Sequence, residues 1–104
     1  MDTVTGQYKV GVIPAYDGHT LVYALDDNLF PVLSIYIIDL YFNEEMILVR
    51  CFRNPDIGTY YVYQSVAVGY TTDNSGVRDL SQEEYQEMIM ENSFTGIMHF
   101  NDFE

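Results

Sequence analysis

Basic residues, cysteine and histidine are scarce in this chain of 104 residues. Only four bases oppose sixteen carboxylates, which leaves a net charge of −12. An acidic field of this density repels nucleic acid and anionic lipid, so we expect neither nucleic acid nor a membrane as a direct ligand. The single cysteine, Cys51, excludes an intrachain disulfide and favours an intracellular compartment.

The residues that usually carry catalysis or bind metals are few as well. His19 and His99 are the two histidines, and no pair of Cys or His residues has the spacing of zinc ligands. The polar loop near Gly76 fails as a calcium loop, because Thr71 and Gln82 stand where ligating acids are required. We therefore expect no enzyme, no cofactor and no metal site. An enzyme stays an alternative only if a pocket brings Cys51 or two carboxylates beside a histidine.

Long apolar runs are also missing. The most apolar stretch, Pro31 to Phe42, is twelve residues long and contains Asp39, so it is too short for a membrane helix. The N-terminal residues have neither a basic region nor an apolar core of a secretory signal. These features predict a cytoplasmic protein.

Short β-prone segments separated by turn signals fill the first two thirds of the sequence. They predict an antiparallel meander of about five strands within a single α+β domain spanning residues 1–104. The third segment is apolar on both faces, which predicts a central strand covered on both sides. The predicted strands are Gln7–Ile13, Thr20–Leu25, Val32–Phe42, Glu45–Arg53 and Thr59–Tyr70, followed by a polar loop over Thr71–Asp79.

A C-terminal helix is predicted from Gln82 to Glu91. Ser81 and Glu84 form an S-x-x-E capping box, and Leu80 and Tyr85 occupy the positions of a hydrophobic staple. The apolar stripe of Tyr85, Met88 and Ile89 is expected to pack on a sheet face. Residues Ser93–Phe103 are predicted as a short final strand or an extended tail.

The acids form four clusters, of which the helix carries the largest. Glu83, Glu84, Glu87 and Glu91 are predicted to form an outward ridge with no Lys or Arg at pairing distance. Acids one turn apart lie about 6 Å apart along a helix, against about 3.4 Å between phosphates of one DNA strand. A basic groove built for nucleic acid could accept such a ridge, although a merely solubilising role stays open. The other clusters are Asp26 with Asp27, Glu44 with Glu45, and Asp102 with Glu104.

Tyrosine is abundant, with ten residues against no tryptophan. Tyrosine is favoured at interfaces because its ring is buried while its hydroxyl keeps a hydrogen-bond partner. Tyr61 and Tyr63 lie on the less apolar face of the fifth segment and are our candidates for exposure and partner contact. In the alternative interpretation they cover the sheet beneath the helix or the tail.

In size, charge and lack of catalytic residues, the chain resembles small acidic inhibitors of nucleic-acid-binding proteins. Phage-encoded anti-restriction and anti-CRISPR proteins belong to that group, as do immunity proteins against nuclease toxins. The resemblance implies a DNA mimic that binds a basic protein surface in the host cytoplasm. The alternative is a structural or assembly module that forms a homo-oligomer, such as a homodimer, by edge-strand pairing or through a tyrosine face. The predicted contact residues are Asp26, Asp27, Glu44, Glu45, Tyr61, Tyr63, Glu83, Glu84, Glu87 and Glu91.

Overall fold

A computed structural model describes residues 2–12, 19–26, 28–33, 36–54, 58–67 and 76–100. These residues form nine strands and one helix, so the predicted α+β class is confirmed. The elements are β1 (Asp2–Thr5), β2 (Tyr8–Val12), β3 (His19–Leu25), β4 (Asn28–Leu33), β5 (Tyr36–Phe42), β6 (Met46–Asn54), β7 (Gly58–Ser65), β8 (Val77–Leu80), α1 (Gln82–Glu91) and β9 (Gly96–His99).

The strands form two antiparallel sheets instead of one. The four-stranded sheet has the order β1-β2-β3-β4, and the five-stranded sheet has the order β8-β7-β6-β5-β9. Within each sheet, strands that follow one another from β1 to β4 and from β5 to β8 are neighbours, and β9 returns to pair with β5. The predicted meander and the short final strand are therefore confirmed, while the strand number was underestimated.

The predicted strand Val32–Phe42 is wrong as a single element. The structure divides it between β4 and β5, which belong to different sheets. Val32 from the first sheet and Ile37 and Leu40 from the second all contribute to one apolar core. Because both strands face the same core, the apolar pattern of the sequence continues from β4 into β5. The pattern therefore does not show that the chain passes from one sheet to the other.

Two edge strands were missed for a different reason. β1 pairs with β2 around Gly6, whose φ of 57° suits a tight turn. β8 pairs with β7, although its residues fell mostly in the predicted polar loop. Arg78 and Asp79 in β8 are exposed, and charged residues are common on edge strands because they discourage pairing with other chains. The polar composition of β8 therefore explains why it was not predicted as a strand.

The central strand β6 is buried on both faces. Ile47, Val49 and Cys51 contribute to the core between the two sheets. Met46 and Leu48 contribute to a second cluster on the opposite face, beneath α1. The molecule therefore has three layers: the four-stranded sheet, the five-stranded sheet and the helix.

Local signals fix the start of α1 as predicted. The Ser81 backbone N–H donates to Glu84 Oε1 at 3.0 Å, and the Glu84 backbone N–H donates to Ser81 Oγ at 3.1 Å. Leu80 and Tyr85 are both buried in the cluster beneath the helix, as expected for the staple. The predicted capping box and helix packing are confirmed.

We expect Gly96→Ala to lower the free energy of unfolding by about 1–3 kcal/mol. Gly96 pairs with Phe42 across β9 and β5, and a Cβ at this position would lie 2.5 Å from Phe42 Cζ. Phe42 is partly buried and packs against the core between the sheets, so its ring must shift against that core to make room for the Cβ. Urea unfolding measures the change. The control is Ile97→Thr at the neighbouring position, which is 64% exposed. We expect this variant to change the free energy of unfolding by no more than about 0.5 kcal/mol. Equal changes in the two variants would contradict the proposed clash.

Candidate functional site

The outward side of α1 carries three acids, which we name the acidic face: Glu83, Glu87 and Glu91. The inward stripe of Tyr85 and its neighbours docks on the sheet, which leaves all three glutamates exposed. Among the described residues, no basic side chain lies within ion-pair distance of any of them. The last turn of the helix contains no basic residue either. No base among the described residues therefore offsets the charge of this surface.

Glu84 differs from the acidic face, and the expectation that it lacks a basic neighbour is wrong. Arg78 Nη1 lies 3.7 Å from Glu84 Oε2. The backbone N–H of Ser81 lowers the pKa of Glu84 most, and the Ser81 side chain and Arg78 lower it further. The base comes from β8, which was not recognised as a strand. Glu84 therefore acts as part of the helix cap.

Glu44 and Glu45 lie exposed in the connection between β5 and β6, beside the C-terminal end of α1. Asn43 fixes this connection: its Oδ1 accepts from the Glu45 N–H at 2.8 Å, and its Nδ2 donates to the Ser93 carbonyl at 3.0 Å. A groove of about 360 Å³ separates Asn43, Glu44 and Glu45 from Asn92, Ser93 and Thr95. The structure thus places this acidic pair next to Glu91's end of the helix.

Asp26 belongs to another layer. It lies exposed in the turn between β3 and β4 with a φ of 50°, and its carbonyl accepts from Asn28 Nδ2 at 3.2 Å. Because the five-stranded sheet lies between this layer and α1, the structure does not join Asp26 to the acidic face. Asp27, Asp102 and Glu104 lie outside the described residues.

Tyr61 and Tyr63 are partly buried beneath α1, so the alternative interpretation describes their position better than exposure does. The ring centroids of Tyr61 and Tyr85 are 4.6 Å apart. The guanidinium of Arg78 lies 5.4 Å from the Tyr63 ring centroid, a cation–π contact. Their role in partner contact stays a prediction.

A charged row across the five-stranded sheet was not foreseen. Strand pairing aligns His99, Asp39, Arg50 and Tyr61 on β9, β5, β6 and β7. Arg50 Nη2 lies 2.5 Å from Asp39 Oδ2, while His99 Nδ1 contacts Asp39 Oδ1. No local sequence pattern predicts this row, because its members come from distant parts of the chain. The one signal in the sequence was Asp39, an aspartate inside an apolar segment.

A pocket of about 250 Å³ lies where α1 meets this row, and we name it the seam pocket. Two polar atoms from its lining residues, Arg50 Nε and the Tyr85 hydroxyl, are buried and have no hydrogen-bond partner among the described residues. Burial raises the pKa of Tyr85, and the charge of Asp39 raises it further, so its hydroxyl stays protonated at neutral pH. The pocket is lined by Asp39, Tyr41, Arg50, Tyr61, Gln82, Tyr85, Gln86 and Ile89.

Cys51 does not lie at this pocket. Its side chain is fully buried in the core between the sheets, and burial raises the pKa of its thiol to about 12. His19 stacks on Phe100 with ring centroids 4.0 Å apart, and His99 contacts Asp39. The residues that line the seam pocket include one carboxylate, Asp39, and no cysteine.

Comparison with known proteins finds no matching family model, no matching curated protein and no matching solved structure. In the part of the chain that the structure describes, no helix combines the length and apolarity needed to cross a membrane. Within the same residues, no three His, Cys, Asp or Glu side chains are grouped so that they could hold a metal ion.

Glu84→Gln should reduce stability at neutral pH but not in acid. The folded-state pKa of Glu84 is lowered from 4.5, so its charge stabilises the fold above that pH. This contribution is lost as the pH falls through the lowered value, and the two proteins should then converge. Thermal unfolding across a pH series measures the difference. Glu83→Gln removes one charge from the same turn without touching the capping box, and an identical profile for both variants would contradict the assignment.

The thiol of Cys51 should be almost unreactive in the folded protein. Raising its pKa from 9.0 to about 12 reduces the thiolate fraction about 1,000-fold, and burial further restricts access. Iodoacetamide labelling at pH 8, with and without denaturant, compares the folded and unfolded rates. A folded-state rate within about tenfold of the unfolded rate would disprove the inference.

Proposed function

We propose that the protein is a small acidic inhibitor that binds the basic nucleic-acid-binding surface of a nuclease or defence complex in the cytoplasm. The observation that carries the proposal is the acidic face, which is exposed and has no basic neighbour among the described residues. Like charges one turn apart cost a few tenths of a kcal/mol per pair. A cationic partner would remove this repulsion and replace it with attraction.

The spacing of the carboxylates on the acidic face supports nucleic-acid mimicry. Its carboxylates follow one another about 6 Å apart along the helix, within a factor of about two of the phosphate spacing of one DNA strand. Glu44 and Glu45 add charge near the C-terminal end of the helix. A basic groove that accepts these acids would release its own counter-ions, and the long-range field would speed association.

The distribution of the bases supports the same proposal. Arg50 and Arg78 lie on the helix side of the five-stranded sheet, but each is engaged by an acid, Asp39 or Glu84. Lys9 lies in β2 of the other sheet. None of these three bases offsets the acidic face.

Met90 supplies an apolar contact beside the acids. It is 85% exposed and lies one helical turn from Glu87. Methionine is unbranched and polarizable, so it adapts to the shape of a partner surface. We assign Met90 the role of apolar anchor within an otherwise electrostatic interface.

The alternative is an assembly module formed from copies of this chain, and one observation favours it. Val12, Leu25 and Leu29 are exposed on the four-stranded sheet. Against edge-to-edge pairing, β4 contains Pro31 and β1 contains a register shift, both of which discourage strand addition. Light scattering separates the alternatives: a stable oligomer without affinity for basic proteins would favour assembly. An immunity protein against a nuclease toxin would use the same acidic face.

The test is capture of basic proteins from a cell extract on the immobilised chain, followed by steps of salt and of duplex DNA. We expect retained nucleic-acid-binding proteins to be released by both, because DNA competes for the same groove and salt screens the charges. A triple variant should weaken binding of the captured protein about tenfold, on the basis of about 0.2–1 kcal/mol per exposed ion pair. It combines Glu83→Gln, Glu87→Gln and Glu91→Gln.

The matched control is Asp2→Lys with Thr3→Lys in β1, where both residues are exposed. This double variant changes the net charge from −12 to −9, as the triple variant does, but on the other sheet. It should retain nearly the full affinity. Affinity that is insensitive to salt and DNA, or equal losses in both variants, would refute binding through the acidic face.

A further inference from the structure

We propose that Met90 is an oxidation site, at which hydrogen peroxide converts the thioether to a sulfoxide and thereby weakens binding through the acidic face. The oxidation follows from the exposure of Met90, whereas its effect on a partner rests on the proposed function. Three features of the structure carry the inference: the exposure of Met90, the shielding of the other described sulfur atoms, and the charges around the site.

Met90 is the most accessible sulfur-containing residue in the part of the chain that the structure describes. It is 85% exposed, whereas Met46 is only 7% exposed. Met88 and Met98 are partly buried, each against one of the two apolar clusters. Cys51 is fully buried, and burial raises the pKa of its thiol to about 12, so little reactive thiolate forms. Peroxide should therefore reach Met90 first.

The reaction at Met90 is a transfer of one oxygen atom. A lone pair of the sulfur attacks one oxygen of hydrogen peroxide, so that an S–O bond forms and the O–O bond breaks. The proton of the transferred oxygen passes to the leaving hydroxide, which becomes water. Sulfur is oxidised by two electrons and the peroxide is reduced by two. The product is a polar, chiral sulfoxide, which methionine sulfoxide reductases return to the thioether, one enzyme for each epimer.

Oxidation at this position should leave the fold intact. The stripe of α1 that packs on the sheet consists of Tyr85, Met88 and Ile89, and Met90 belongs to neither apolar cluster. The last turn is held by Asn92, whose Nδ2 donates to the Met88 carbonyl at 2.8 Å. This contact does not involve the side chain of Met90. A sulfoxide therefore changes the surface of the helix and not its docking.

The acids beside Met90 determine how a basic partner would respond. Glu87 lies one helical turn before it and Glu91 directly follows it, and the last turn contains no basic residue. The donors of a basic partner are drawn to these carboxylates, because hydrogen bonds to a charged acceptor are the stronger ones. The sulfoxide then loses its hydration without an equivalent hydrogen bond, a cost that the apolar thioether does not have. Oxidation should therefore weaken the interface.

Peptide mass mapping after timed treatment with hydrogen peroxide measures the oxidation of each methionine. In the folded protein, Met90 should react within about twofold of its rate in denaturant, and Met46 at least about tenfold more slowly than its own. Thermal unfolding of protein oxidised at Met90 should match that of untreated protein. Similar protection of both methionines, or a lowered Tm after oxidation of Met90, would overturn the proposal.

The basic protein captured by the untreated chain provides the second readout. Oxidation of Met90 should weaken its binding about three- to tenfold, and the reductases should restore it. Met90→Gln should bind like the oxidised protein, because glutamine is unbranched and polar as the sulfoxide is. Met90→Leu carries an apolar side chain that peroxide does not oxidise, so its affinity should be the same before and after treatment. Leucine and glutamine have helix propensities close to that of methionine, so α1 is preserved in both variants.

The two variants also separate this inference from the proposed function. Equal affinity of treated and untreated wild-type protein, or a loss on treatment of Met90→Leu, would refute the oxidation site as a control of binding and leave the acidic face unaffected. A chain that retains no basic protein in either state would refute the proposed function, and this inference with it.

Discussion

The arrangement depends on a central strand that is apolar on both faces. β6 places Ile47 and Val49 toward one core and Met46 and Leu48 toward another, and all four are buried. At about 25 cal/mol per Å² of apolar surface, neither face can be left in water. The four-stranded sheet covers one face and α1 covers the other. The helix presents Glu83, Glu87 and Glu91 to solvent because its apolar stripe packs on the five-stranded sheet.

The docking of α1 on the five-stranded sheet places its charged residues at two depths, beneath the helix and on its outer side. Arg50 and Asp39 pair at the seam between helix and sheet, where both side chains are partly shielded from water. Such a pair is costly to desolvate unless its remaining donors are satisfied, and Arg50 Nε has no hydrogen-bond partner among the described residues. Since Arg50 and Arg78 are each engaged by an acid, neither of them offsets the glutamates farther out.

How well the sequence predicts a feature depends on how far apart in the chain its interacting residues lie. The start of α1 depends on Ser81, Glu84 and the Leu80–Tyr85 contact, which span six residues, and it was predicted to the residue. The division of Val32–Phe42 between two sheets depends on which distant strands cover it, so the pattern could not show it. The Arg50–Asp39–His99 row requires the register of three strands. Likewise, Arg78 reaches Glu84 only because β8 pairs with β7.

Helix α1 connects the acidic face and the seam pocket physically. It presents Glu83, Glu87 and Glu91 on one side and Gln82 and Gln86 at the pocket mouth on another, while Tyr85 anchors it to the sheet. Any molecule that binds only the docked helix stabilises docking by mass action. A partner on the acidic face would therefore also favour the packing of Tyr85 on the sheet.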